Sequence, residues 1–375
     1  MKKLSIAARV AVTYGLAVAL AGCGGGGGAS APSPTPTPAP TVNTVTVNTP
    51  KSTAAAVGDS VALTWSNTNN SACVGTGLLA GITAATGTIQ ASLTVEGQAS
   101  YGVTCDGTSS TTETIDVLPQ YTAVPDLVFQ HALTAAGVAG VVNGQVPTDN
   151  VLAVTQLAVL SGAGYTLAPS VQVAATGSAM ITDLTGLGNF RNLTYLRLEG
   201  QAFTSIDVSD LTQLTFLGLW QDPITTLDLS HNAQIQTLGT SETGLTSIDL
   251  SVLPNLVELD AQNAATLPYV LPTGANVQGL TSLDLSKNTK LERLYASYNR
   301  LTTLNVSANS SVTQVEVDNN QLTSLFLDAS ATYLIAYNNP GLKTIDTLST
   351  VFTTADCTPA NHCDIDPTAT IVTGS

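Results

Sequence analysis

The chain of 375 residues carries 11 Lys/Arg against 26 Asp/Glu, a formal net charge of −15, and five cysteines. So acidic a balance excludes binding to nucleic acid or to an anionic surface by counterion release. It leaves basic or neutral partners and divalent cations as the ones the charge favours.

Lys2, Lys3 and Arg9 precede an apolar run from Val10 to Ala21, the pattern of a secretory signal over residues 1–22. The run is too short for a transmembrane helix. It ends in Leu20-Ala21-Gly22-Cys23, which resembles the bacterial lipobox. That resemblance implies cleavage before Cys23, acylation of its thiol and anchorage in a lipid bilayer. Gly24 stands where aspartate would signal inner-membrane retention, so the resemblance implies an outer-membrane protein that can reach the cell surface. Without the three bases of the signal, 8 Lys/Arg face 26 Asp/Glu, a net charge near −18. Residues 23–41 read as a tether. Gly24 to Gly28 are flexible, and Pro32, Pro34, Pro36, Pro38 and Pro40 favour extended polyproline II.

Residues 42–118 hold short alternating runs between Gly/Asn/Ser clusters: Val45–Val47, Ser60–Trp65, Ile89–Leu93, Tyr101–Cys105 and Thr114–Val117. They predict a β-sandwich. The cysteines divide as Cys23 for lipid, Cys73 with Cys105 to tie the two sheets, and Cys357 with Cys363. Such pairs belong to an oxidising compartment. Metal ligation by Cys357, Cys363 and His362 is the rival for the last pair. The run Leu63-Thr-Trp65, then Cys73, then Tyr101-Gly-Val103-Thr-Cys105 is similar to bacterial immunoglobulin-like modules.

Residues 119–180 contain the strongest helix signal. Pro125 starts it, Leu127, Phe129, Leu133 and Val128 line a face, and Gly137 ends it. A degenerate coil follows at Val154–Leu160. From residue 181 to 375 a repeat dominates. Ile206, Leu227 and Ile248 are 21 residues apart, as are Leu283, Leu304 and Leu325. The step from Ile248 to Leu283 is 35, which is 21 plus an insertion of 14 between Ala264 and Gln278, with Pro268-Tyr269 at its tip. Leu196, Leu217, Leu238, Leu259, Leu294 and Val315 keep the same steps, and so do Leu193, Leu214, Ile235, Leu256, Leu291 and Val312. This period and spacing predict a leucine-rich-repeat solenoid. Its parallel rungs from Leu196 to about Ile335 make a ladder of roughly 30 Å. Asn299 and Asn320 fall at turns, where an amide can satisfy the neighbouring coil's backbone. Beyond residue 346 the period fades, and the Cys357–Cys363 loop is expected to close that end.

Ile181-Thr-Asp-Leu184-Thr-Gly-Leu187 with Asn192-Leu193-Thr-Tyr-Leu196 resembles the repeat of internalin-type bacterial proteins. Leu245-Thr-Ser-Ile248-Asp-Leu-Ser251 and Leu280-Thr-Ser-Leu283-Asp-Leu-Ser286 resemble repeats of bacterial surface lipoproteins of that class. The likeness covers about half the chain and implies that the helix caps the open end of the core. The fold expected is therefore mainly β: an immunoglobulin-like sandwich, then a helix-capped solenoid.

His131, His231 and His362 fall in three different regions, and no nucleophile-elbow, zinc-protease, phosphate-loop or EF-hand pattern occurs. No catalytic residue, metal or cofactor is assigned, and the chain is expected not to be an enzyme. The candidate ligand-binding residues lie on the outward side of the ladder: Tyr195, Arg197, Phe216, Trp220 and Tyr295. Aromatic residues and arginine are the usual hot-spot types. Beside Gly218 and Gly239 they suggest a shallow pocket for a protein loop or a sugar ring. They could equally cover the first coils against the capping region. Arg293 is expected in a cross-strand ion pair. Asp207, Asp228, Asp249 and Asp284 form a column, read as hydrogen-bonded rather than calcium-binding. The function expected is an envelope lipoprotein presenting a scaffold for a protein or glycan partner. The alternative is a structural envelope protein with no specific ligand.

Overall fold

Alternating short strands bury one side only, so they need a second layer, whereas the 21-residue repeat needs its own neighbours. A computed structural model describes residues 45–47, 54–69, 71–110, 112–160, 173–175, 179–263, 279–348, 357 and 363–373. The signal, Cys23, the tether, the Pro268-Tyr269 tip and His362 lie outside the described residues. Among those described, no helix is long and apolar enough to cross a membrane.

Two sheets form before residue 119. One joins Val45–Val47, Ser60–Asn67 and Gly87–Ser92; the other joins Ala54–Ala56, Glu113–Leu118, Gly97–Cys105 and Cys73–Gly77. Ser60–Asn67 shows the cause, burying Leu63, Trp65 and Asn67 while the residues between point out. Leu63 and Trp65 from one sheet share a core with Tyr101, Val103, Ile115 and Val117 from the other. The expectation that Cys73 and Cys105 tie the two sheets is wrong. They are register partners on adjacent antiparallel strands of one sheet, with Cα atoms 4.2 Å apart, and their disulfide staples that sheet. This close spacing is that of a directly opposed strand pair.

The helix spans Leu127–Ala135. Asp126 rather than Pro125 caps it, accepting from the amides of Val128 and Phe129, and Gly137 leaves it with φ +84°. Phe129, Ala132 and Leu133 are buried, but Leu127 is 68% exposed, against expectation. At 100° per residue, position 127 lies about 200° from 129, on the opposite side of the helix. Phe129 meets Phe190 with ring centroids 6.2 Å apart, inside the core that runs through the repeats.

The solenoid's main sheet is parallel. In order it runs Val173–Ala175, Gln156–Leu160, Tyr195–Glu199, Phe216–Trp220, Thr237–Gly239, Glu258–Asp260, Arg293–Tyr295, Gln314–Glu316, Tyr333–Ala336 and Cys363–Ile365. Leu196, Leu217, Leu238, Leu259, Leu294, Val315 and Leu334 are register partners in succession, all fully buried. Glu258–Asp260 pairs with Arg293–Tyr295 across the insertion without a change of register. On the return side Thr303–Asn305, Ser324–Leu327, Thr344–Thr347 and Thr370–Thr373 form a second parallel sheet. The coils therefore continue past residue 346, where the sequence period had faded. Cys363 is disulfide-bonded to Cys357 and pairs with Leu334 as part of the last rung.

Six coils leave their strand through a left-handed corner. Gly200, Gln221, Glu242, Tyr298, Asn319 and Asn338 all have φ between +52° and +65°. The next residue is a buried polar one: Gln201, Asp222, Thr243, Asn299, Asn320 or Asn339. Asn299, Asn320 and Asn339 each donate to the carbonyl three residues back and accept from the amide of Leu280, Leu301 or Leu322. Asn299 and Asn320 also donate to the preceding coil, at Ala261 and Ala296, as their turn positions suggested. A second spine, not anticipated, lies on the return side. Asn232, Asn288 and Asn309 are fully buried, and each donates to two carbonyls of the preceding coil.

Candidate functional site

Side chains alternate along a strand, so burying the leucine column turns its neighbours out. Register then sets which outward residues touch. Tyr195 lies opposite Phe216, Arg197 opposite Gly218, Glu199 opposite Trp220, and Gly218 opposite Gly239. Tyr195 and Phe216 stack with centroids 4.2 Å apart and planes 12° from parallel. Phe216 meets Trp220 at 5.9 Å and 41°. All three rings are partly buried.

Gly218 and Gly239 do not frame an open pocket. The indole of Trp220 lies across both: a Cβ on Gly218 would come within 1.9 Å of its Cζ3, and one on Gly239 within 2.2 Å of its Cζ2. The paired glycines are a floor for one flat ring. Trp220 Nε1 donates to Asp260 Oδ2 at 3.0 Å, and Ser241 Oγ donates to Asp260 Oδ1 at 2.6 Å. The Arg197 guanidinium sits 4.7 Å from the Trp220 ring centroid. Its Nε and Nη2 donate to Glu199 Oε2 at 3.2 and 2.6 Å. Tyr195, Arg197, Phe216 and Trp220 thus form one connected group. Tyr295 stands apart, reached through its register partner Asp260. Burial raises the Tyr195 hydroxyl pKa above its ordinary value, while Arg197 pulls against that rise.

Arg293 makes the expected cross-strand pair, its Nε and Nη2 donating to Glu258 Oε2 at 2.7 and 2.6 Å. With the Arg293 side chain 39% exposed, the pair contributes under about 1 kcal/mol. The acidic column is hydrogen-bonded locally and not from coil to coil. Asp207, Asp228, Asp249 and Asp284 each accept from the amide two residues on, at 2.9 Å. The hydroxyl and amide of Ser209 lower the Asp207 pKa, and those of Ser230, Ser251 and Ser286 do the same along the column. Among the described residues no group of three or more His, Cys, Asp or Glu is arranged to hold a metal.

Asp222 was missed. It is fully buried, Oδ1 accepts from the Gln201 amide at 2.7 Å, and Oδ2 has no hydrogen-bond partner. Burial pushes its pKa up to about 8, the Gln201 amide pulls it down, and Glu199 adds to the rise. The available signal was its spacing: Gln201, Asp222 and Thr243 are 21 apart, one residue after each corner.

No family model and no curated protein matches the chain. Solved structures similar to it include the functional domain of InlJ from Listeria monocytogenes, which includes a cysteine ladder (19% identity, TM-score 0.33). Another is the internalin inlF from the same organism (19%, TM-score 0.30). A third is the plant peptide hormone receptor RGFR1 in complex with RGF2 (18%, TM-score 0.35). The matches cover 66%, 60% and 47% of this chain and 62%, 82% and 32% of those chains, respectively. The chain thus spans less than two thirds of InlJ's domain and about a third of the receptor.

Proposed function

We propose that the chain is a non-enzymatic, lipid-anchored envelope protein whose solenoid binds a protein partner on the outward face of its ladder. The lipobox-like Leu20–Cys23 supports the anchor, and Gly24 after it supports the outer-membrane location. In this reading residues 42–118 act as an immunoglobulin-like spacer, and the Leu127–Ala135 helix caps the core. The observation that carries the binding role is the connected group of Tyr195, Arg197, Phe216 and Trp220 on the outward face of the main sheet. Flat rings held by a register-locked scaffold lose little freedom on binding, and such residues dominate interface energies. A photo-crosslinker at Thr237, beside Phe216 in register, is expected to trap a saturable partner on intact cells. The same probe at Thr303 on the return sheet is expected to trap none. Trp220→Ala is expected to weaken the partner about tenfold. Equal trapping from both faces would sink the assignment. For the anchor, Cys23→Ser is expected to move the protein from the membrane pellet to the soluble fraction.

A second reading has its own observation. The Trp220 ring is already satisfied by its glycine floor, Asp260 and Arg197. That favours a structural envelope protein whose aromatic group only seals the first coils. In that case Trp220→Ala lowers stability and leaves no binding to lose.

A further inference from the structure

We propose that the outward face from Glu258–Asp260 to Cys363–Ile365 docks a basic, extended segment of a protein partner on a platform of Tyr295, Tyr333 and Tyr337. This rests on the scaffold reading above and gives the partner its chemistry.

The first observation is where the tyrosines are. Tyr195, Tyr295, Tyr298, Tyr333 and Tyr337 stand on or beside the outward face, each partly exposed; Tyr101 and Tyr121 are the other described tyrosines. Nothing in the fold requires rings there, because the core is made by the inward leucines. The second is the charge around them. Register places Asp260 beside Tyr295, Tyr295 beside Glu316, and Ile335 between Glu316 and Asp364. Arg293 is the cation on the described strands of this half, and Glu258 already holds it at 2.6 Å. The rings feel this field. Burial, then Glu258 and Glu316, raises the Tyr295 pKa; burial, then Glu316 and Asp318, raises that of Tyr333; Asp318 is the main cause for Tyr337.

The aromatic half differs, since Arg197 and Glu199 offset each other there. The return side differs too. Its column of aspartates is turned onto local backbone amides and carries no tyrosine. Electron-rich rings among carboxylates attract ammonium and guanidinium groups by both cation–π and Coulomb terms. An acidic or phosphorylated segment is repelled by the same surface. The strands are about 4.8 Å apart, so this half spans about 19 Å, which an extended segment of about six residues covers.

The test is fluorescence anisotropy of the full chain with a seven-residue labelled peptide alternating lysine and alanine, in ~0.15 M salt. A glutamate–alanine peptide is the control. The lysine peptide is expected to bind and the glutamate peptide not. Glu316→Gln with Asp364→Asn is expected to weaken binding about tenfold or more. Tyr333→Ala is expected to weaken it about threefold. Asp228→Asn with Asp249→Asn removes the same charge from the return side and is expected to leave affinity within about twofold, as non-specific attraction is screened. Thermal melts of each variant report folding separately. Equal weakening by the two charge pairs, or a lysine peptide no tighter than its control, overturns the proposal. Should a partner be trapped from Thr237 while the lysine peptide fails, the scaffold reading stands and this chemistry falls. Should the peptide bind as described and Thr237 trap nothing, the tyrosine half stands and the aromatic reading falls.

Discussion

Asp222 occupies the place that asparagine fills in later coils, with an oxygen where they carry a donating NH2 group. Asn299, Asn320 and Asn339 donate to the carbonyl three residues back, whereas Asp222 Oδ2 is buried with no partner. A carboxylate there has lost its water and gained one amide, so the native state holds it neutral, with a pKa of about 8. Its unfolded value is about 3.9. The native state therefore binds the extra proton between these values, and stability falls as pH rises from about 4 to about 8. Asp222→Asn keeps the acceptor for the Gln201 amide and adds the donor that the other coils use. It is expected to raise the melting temperature at pH 7 and to flatten its decline between pH 5 and 8. A lower melting temperature for the variant at pH 7 would mean that the acid is stabilising as it stands.

At the scale of the element, the leucine column and the helix cap each make a separable prediction. Leu238 is fully buried, and its neighbour Thr237 faces outward. Leu238→Ala is expected to cost about 2 to 5 kcal/mol. Thr237→Ala is expected to stay within about 0.5 kcal/mol. Urea titration of the two variants checks the phase of the coils, and equal costs would contradict it. Asp126 serves two elements at once. Oδ1 caps the helix through Val128 and Phe129, while Oδ2 accepts from the Thr182 amide and hydroxyl and the Asp183 amide. Burial opposes its charge, but these donors win and lower its pKa. The stability that it contributes is present at neutral pH and is lost as pH falls through that depressed value. Asp126→Ala is expected to cost about 2 kcal/mol, more than an ordinary cap. Hydrogen exchange should quicken in both the helix and residues 181–183; quickening in the helix alone would show that the Thr182 link is idle.

At the scale of the molecule the described residues hold two apolar cores, one in the paired sheets and one through the helix and coils. Arg191 bridges them, contacting Asp116 at 3.2 Å and Asp210 at 2.8 Å with all three side chains partly exposed. Such a bridge contributes about 1 kcal/mol or less, and the helix Thr148–Leu152 also packs against Ala54–Ala56. The Cys73–Cys105 disulfide closes a separation of 32 residues in the smaller core. By loop entropy this stabilises it by roughly 3 to 4 kcal/mol. Replacing both cysteines with alanine is expected to speed exchange in Ser60–Asn67 and leave Phe216–Trp220 protected. Loss of protection in both would show a single cooperative unit.

The leucine columns, the strand runs before residue 119 and the helix near Phe129 were legible because burial imposes a period, and a period survives in one dimension. Asn299 and Asn320 were legible for the same reason. The left-handed corners were not, because Gln221, Glu242 and Tyr298 adopt a glycine-like φ without being glycine. The last rungs were not, because Cys363 substitutes for a leucine and the spacing shortens near Tyr333. Aromatic composition pointed to Tyr195, Phe216 and Trp220 as a group, and counting by 21 set their register. The direction in which the indole lies was decided only in three dimensions. Two glycines meet across neighbouring strands, and the vacant width of two side chains is filled by the nearest flat ring. Likewise, the sequence by itself named Asp222 as an acid, and only the stacking of coils on both sides, which removes its water, made it a neutral one.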